Sequence, residues 1–156
     1  MTEATIRAAI VDGIEDVTDA GVVYDHIPWS GSWDVHLALF QCRVAGINAF
    51  RGFTVSLAAG APISVTGEIL GTTAGTDVKT FNYTVRGYHG INEADNSENE
   101  FIEVVIAVMD KIDTLNLSEF KRDRAQLVTY QPETIGDVLC HYAEIAVSNI
   151  REEVDC

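Results

Sequence analysis

The sequence predicts an α+β fold, with a mostly antiparallel or mixed β-sheet, two main α-helices packed on it, and a long hairpin or loop. Three observations predict it. Apolar residues recur at three- and four-residue steps in two separate stretches, 6–17 and 101–115. Between and after these stretches the period falls to two, in segments rich in Val, Thr, Phe and Tyr. The 156 residues, 47% hydrophobic and 22% charged, suit a single domain over 1–156. A chain of that length hides about two thirds of its unfolded surface, so its core needs neither metals nor disulfides.

Ile6, Ile10, Ile14 and Val17 trace one face of an amphipathic helix over residues 2–17, with Thr2 as its cap and Glu3 near its positive end. Gly13 weakens that helix by roughly 1 kcal/mol relative to Ala, so its stability must come from packing. Asp19-Ala20-Gly21 ends the period, and Val22-Val23-Tyr24 reads as a short strand. Both tryptophans follow in Ile27-Pro28-Trp29-Ser30-Gly31-Ser32-Trp33-Asp34, a loop by its Pro and Gly, with a helical turn expected through Val35–Phe40. Trp29 and Trp33 either cover one end of the core or anchor a partner subunit, since Trp is enriched in interface hot spots.

From Phe50 alternation sets in. Phe53, Val55 and Leu57, and later Phe81, Tyr83 and Val85, mark two strands with one buried and one wetter face, and Ile63 and Val65 suggest another between them. Gly67–Asp77, which contains Ile69 and Leu70, is rich in Gly and Thr and reads as a long mobile hairpin tip. Its glycines form neither a P-loop nor a strand-GxGxxG-helix unit.

Ser97-Glu98-Asn99-Glu100 has the spacing of a capping box. Behind it Phe101, Val104, Val105, Val108, Ile112 and Leu115 form an apolar stripe, widened by Ile102, Ile106 and Met109 to the breadth of a helix buried on more than one side. The acids Asp95, Glu98, Glu100 and Glu103 read as a solvated helix start and lack the ligand order of an EF-hand. Lys121, Arg122 and Arg124 are the one basic concentration, a solvated loop or a patch for acid on a neighbouring copy. Two strands, 125–130 and 138–147, close the pattern around a turn with Pro132 and Gly136. The second is apolar on both faces and so belongs in the middle of the sheet or under subunit contacts.

The charge balance excludes whole classes of function. Ten Lys and Arg against 24 Asp and Glu give −14, which argues against general nucleic-acid binding and against docking on an anionic membrane. No secretory signal or spanning apolar run is apparent, and Cys42, Cys140 and Cys156 have no disulfide or zinc spacing, so the cytoplasm is the default compartment. No catalytic, cofactor or metal residues stand out. His26, His36, His89 and His141 lie in no HExxH, no GxSxG is present, and Cys140 and His141, adjacent on a strand, point to opposite faces.

Several strings then carry a resemblance: Trp33-Asp34-Val35-His36-Leu37-Ala38-Leu39-Phe40, Phe50-Arg51-Gly52-Phe53-Thr54-Val55, Val85-Arg86-Gly87-Tyr88 before an acidic-capped helix, and Leu139-Cys140-His141-Tyr142-Ala143-Glu144. With the order of elements, they resemble small prophage-encoded tail proteins, and among these the tail terminator (tail completion) proteins of long-tailed bacteriophages. The resemblance implies a homo-oligomeric ring, typically a hexamer, at the head-proximal end of the tail. Such a ring stops growth of the tail tube and joins the tail to the head. Its implied partners are further copies of itself, the tail tube protein and head–tail connector proteins. Its implied location is the virion tail, with the host cytoplasm as the site of assembly. DNA passes through such a ring without being gripped, which suits the acidic balance.

A closed ring needs two different complementary patches on each copy. Trp29, Trp33 and the hairpin with Ile69 and Leu70 are candidates for one, and Lys121, Arg122 and Arg124 for the other. The alternatives are a neck, tail or head-completion adaptor acting as a binding module and, last, a small enzyme built around one of the histidines.

Overall fold

The computed structural model describes residues 2–28, 38–44, 47–60, 62–70, 74–91, 96–115, 117, 122–135 and 138–155, with backbone alone for 43–44, 47–48, 66–70, 74–78 and 152–155. The elements run α1 (Glu3–Glu15), β1 (Val22–Tyr24), β2 (Gln41–Val44), β3 (Ile47–Leu57), β4 (Ile63–Leu70), β5 (Ala74–Gly90), α2 (Ser97–Thr114), β6 (Gln126–Ile135) and β7 (Val138–Asp155). This is the α+β architecture that the sequence predicts: a mixed sheet with helices packed against it.

Among the described residues the sheet order is β1-β3-β5-β7-β6, with β2 on β3 and β4 on β5. β1 is parallel to β3, and every other pairing is antiparallel. β3 and β4 lie end to end along one side of β5, pairing with Tyr83–His89 and Ala74–Phe81 respectively. β7 runs along the other side of β5 for nearly its whole length, and β6 borders β7 only from Val138 to Ala146. The result is a broad body continued by a three-stranded arm of β4, β5 and the end of β7. At about 3.3 Å per residue, the seven residues of β5 before Phe81 extend the arm roughly 20 Å. The arm leaves the body at a bulge in the β5–β7 ladder between Phe81 and Tyr83, where Asn149 takes φ 57° and its N–H donates to Asn82 Oδ1 at 2.9 Å.

The core lies between one face of the sheet and the two helices. Ile6, Ile10 and Ile14 of α1 meet Phe101, Val105, Val108 and Ile112 of α2 over Phe53, Val55, Tyr83, Val85, Ala143, Ile145 and Val147. Thr2 caps α1 as its position implies, accepting from the Thr5 N–H at 3.3 Å. The helix stops at Glu15, and Val17 packs against the core from the following turn. Gly21, at φ 84°, lets the chain pass the Arg51 carbonyl, where a Cβ would come to 2.4 Å.

Several expectations are corrected. The strand expected from Phe50 starts at Ile47 and is preceded by β2, Gln41–Val44, whose polar–apolar alternation spans only four residues. β3 has no wet face, because Arg51 through Ser56 are buried on both sides. The Gly/Thr-rich segment is mostly paired strand: Gly67–Leu70 and Ala74–Asp77 form the end of a ladder, since the small residues tolerate extended backbone when a third strand supports them. Pro132 belongs to β6 and not to the turn, as an edge strand allows.

The capping box is not made. Asn96 is the N-cap, with φ 52°, and Ser97 and Glu100 turn to the sheet. The widened stripe of α2 is not buried on more than one side, because Ile102 and Ile106 face solvent. The two-faced apolar character of 138–147 does reflect a central strand, since β7 lies between β5 and β6. Ala38 and Leu39 are helical, and the rest of the turn expected through Val35–Phe40 lies outside the described residues.

Candidate functional site

The polar chemistry of the described residues gathers under the first turn of α2. Register places Arg51 of β3 opposite His89 of β5, and His89 opposite His141 of β7, so the three form one row across the helix-covered face. Two residues of α2 reach down to this row. Glu100 accepts from Arg51 Nη2 at 2.9 Å and has its other oxygen 3.5 Å from His89 Nε2. Ser97 Oγ is 3.0 Å from His141 Nε2. Phe101 roofs the row, its ring centroid 5.4 Å from that of His89 and 5.9 Å from those of His141 and Tyr130. Asp19, from the turn after α1, approaches Arg51 Nη1 at 3.8 Å. Four elements and a turn are thus joined through polar groups at one place.

Burial sets the charge states. The desolvated pocket and the Arg51 guanidinium hold His89 down to about 4, against the pull of Glu100, so the imidazole is neutral at pH 7. Burial also lowers His141, with Glu98 opposing. A hydroxyl 3.0 Å from an imidazole has the spacing of a nucleophile and its base. Ser97 is only 5% exposed and Phe101 stacks on the ring, so the pair faces the core and not a substrate. Cys140 points to the opposite face, donates to the Glu133 carbonyl at 3.4 Å, and is pushed up to about 11 by burial and then by Glu133, so it is a thiol and not a nucleophilic thiolate. Chemically the arrangement is a clamp that ties α2 to three strands.

The clamp predicts an acid dependence. His89 takes a proton near 6.5 in the unfolded chain and only near 4 in the fold, so the native state binds fewer protons between those values. Stability is complete above about pH 6.5 and falls by roughly 2–3 kcal/mol as the pH drops toward 4. His89→Gln should flatten that decline in urea midpoints taken at pH 7 and 4.5. An unchanged slope in the variant would exclude His89 as its source.

Of the residues expected to form two patches, the described ones lie at different places in the fold. Trp29, Trp33 and Lys121 lie outside the described residues. Ile69 and Leu70 are in β4 at the far end of the arm, paired with Gly75 and Ala74. Arg122 and Arg124 lead into β6 and both turn to Asp113 of α2: Arg122 Nη2 donates to the Asp113 carbonyl at 2.7 Å, and Arg124 Nε is 3.5 Å from its carboxylate. The Arg124 side chain nonetheless stays 87% exposed.

Sequence reasoning missed the row itself. Its signal was parity, since Arg51 shares a strand face with Phe53 and Val55, and His89 shares one with Val85 and Tyr83. A charged residue in phase with an apolar stripe marks a buried partner, but only register says which partner.

Among the described residues no group of His, Cys, Asp or Glu has the arrangement to hold a metal ion, and no helix is long and apolar enough to cross a membrane. Compared with known proteins, the chain matches no family model and no curated protein.

Proposed function

We propose that this chain is a structural protein of a long-tailed phage particle, of the tail terminator kind: a subunit of a homo-oligomeric ring, typically a hexamer, that ends the tail tube and joins it to the head. The observation that carries this reading, beside the sequence resemblance, is the arm. β5 and β7 are 17 and 18 residues long, and only part of each lies under the helices. A ring closes when each copy offers two unlike patches. The arm, with Ile69 and Leu70 near its end, and the basic corner of Arg122 and Arg124 are two unlike surfaces set apart on the sheet. The −14 charge suits a channel that phosphate traverses without sticking.

The test is capping. Tail tubes assembled in the presence of the purified chain should stop at shorter lengths and carry a ring at one end in electron micrographs. Tubes of unchanged length with bare ends at saturating protein would sink the reading.

A further inference from the structure

β6 is an edge strand, bonded to β7 on one side alone among the described residues. Its first half carries two exposed large apolar side chains, ahead of Pro132. Val128 is 64% exposed and Leu127 44%. Beside the strand runs a flank of α2 in which Glu98, Ile102, Ile106, Met109 and Asp113 follow at steps of three and four. Both ends of this flank are tied to β6. Phe101 stacks on Tyr130, and burial, with the charge of Glu98, raises the Tyr130 phenol. Asp113 Oδ1 accepts from the Ala125 N–H at 2.7 Å. Ile106, 53% exposed, therefore adds to the apolar surface of the edge.

The ladder carries one irregularity that decides what fits there. Leu127 faces Ile145 and Thr129 faces Glu144, so Val128 is an extra residue, a bulge. An ordinary strand paired antiparallel with itself about a two-fold axis keeps matching faces only if the axis passes through a residue or between residues of one face. In β6 the bulge shifts the parity. Leu127 and Tyr130, opposite Ile145 and Ala143, both point to the helix side, while Gln126 and Gln131, opposite Ala146 and Tyr142, both point to the other.

With the axis between Val128 and Thr129 of two copies, Leu127 meets the partner's Tyr130 and Gln126 meets the partner's Gln131. The two bulges then fall opposite each other, with Val128 of each copy beside the partner's Thr129. Two positions further out, Arg124, whose side chain is 87% exposed and lies 3.5 Å from the Asp113 carboxylate, exchanges that contact for the partner's Glu133, which in the single chain accepts from Gln131 Nε2 at 2.7 Å. Asp123 N–H donates to Ser148 O at 3.3 Å, so the chain before β6 is already in line with the ladder. Pro132, which has no N–H to give, ends the pairing after six residues on each strand.

We infer that the β6 edge is a two-fold docking surface for a second copy of this chain, in the register that sets Leu127 on Tyr130 and Arg124 on Glu133. The contact is isologous, unlike the head-to-tail contact of a ring, and so stands apart from the ring reading. The main-chain ladder and the apolar pair supply the attraction, and the two Arg–Glu pairs fix the register.

The test uses charge exchange in the full chain, followed by sedimentation velocity. The wild type should associate reversibly to a dimer. Arg124→Glu and Glu133→Arg should each weaken self-association by on the order of tenfold, because each sets like charges opposite each other twice in the dimer. The two single variants mixed in equal amounts should dimerise with each other, because every pair is then complementary, and the double variant should recover self-association. Slowed amide exchange across 126–131 on dimerisation would place the contact on the edge. A wild type that stays monomeric, single variants that associate like wild type, or a mixture that fails to pair would each overturn the inference. Tube capping by the wild-type chain is a separate readout, because Arg124 also belongs to the basic corner of the ring reading: dimers that follow the charge rule while wild-type protein leaves tubes uncapped would defeat the ring reading alone.

Discussion

Arg51→Met is expected to destabilise the fold by about 3 kcal/mol, near the lower end for a broken buried ion pair. The side chain is only 11% exposed, and its loss leaves the Glu100 carboxylate with only the neutral His89 near it. Because Glu100 keeps some contact with water, its orphaned charge is partly relieved, which sets the lower end. Glu100→Gln alone leaves Arg51 with the distant Asp19 and should cost a similar amount. The double substitution should cost clearly less than the sum, because the second change removes a charge that the first has stranded. Urea unfolding of the four proteins at pH 7 measures the cycle. A loss below about 1 kcal/mol for Arg51→Met, the ordinary worth of an exposed pair, would show that the clamp does not hold the helix.

Phe101→Ala should be at least as severe, at about 3–5 kcal/mol, the usual range for deleting a buried aromatic ring. Phe101 is wholly buried and is in ring contact with His89, His141 and Tyr130 at once. Its removal opens a cavity above the polar row and admits water to His89, so two readouts should move together. The urea midpoint falls, and the His89 titration, followed by NMR, rises from about 4 toward the ordinary imidazole range. Glu103→Ala, on the exposed face of the same helix, should stay within about 0.5 kcal/mol of wild type. Equal losses from the two substitutions would mean that helix propensity, and not packing, holds α2.

Where one face of an element meets a uniform environment, the sequence was legible. Ile6, Ile10 and Ile14 mark α1, and Phe101 through Ile112 mark the buried side of α2, because a helix on a sheet has a single core direction. Val138–Val147, apolar on both faces, is indeed flanked by strands on either side. Legibility failed where the outcome depended on pairing. Gly67–Asp77 reads as a mobile hairpin tip because small residues say nothing of a third strand that will support them, and β7 does so at Thr76 and Asp77, its Asp155 and Val154 being nearly eighty residues further on. Ser97 and Glu100 have the spacing to cap their own helix, but an arginine and two histidines brought by register compete for them and win. Ile102 and Ile106 widened the apolar stripe without revealing that the edge strand beside them leaves them exposed.

The order of the sheet also governs how this chain must fold. β5 supplies one edge to β3 and β4, which lie close by in sequence, and the other to β7, whose nearest partner, Cys140 for Gly90, is 50 residues away. Until α2 and β6 have formed or been spanned, the longest strand but one in the molecule presents an unpaired edge through both body and arm. Closing a loop of that size before any contact rewards it puts folding in the slow range of sheet proteins, on the order of milliseconds to seconds. A ribosome-bound chain released in the interval carries an open, β-rich edge, so the crowded phase of synthesis, and not the finished fold, is where this protein is most exposed to mispairing with its own copies.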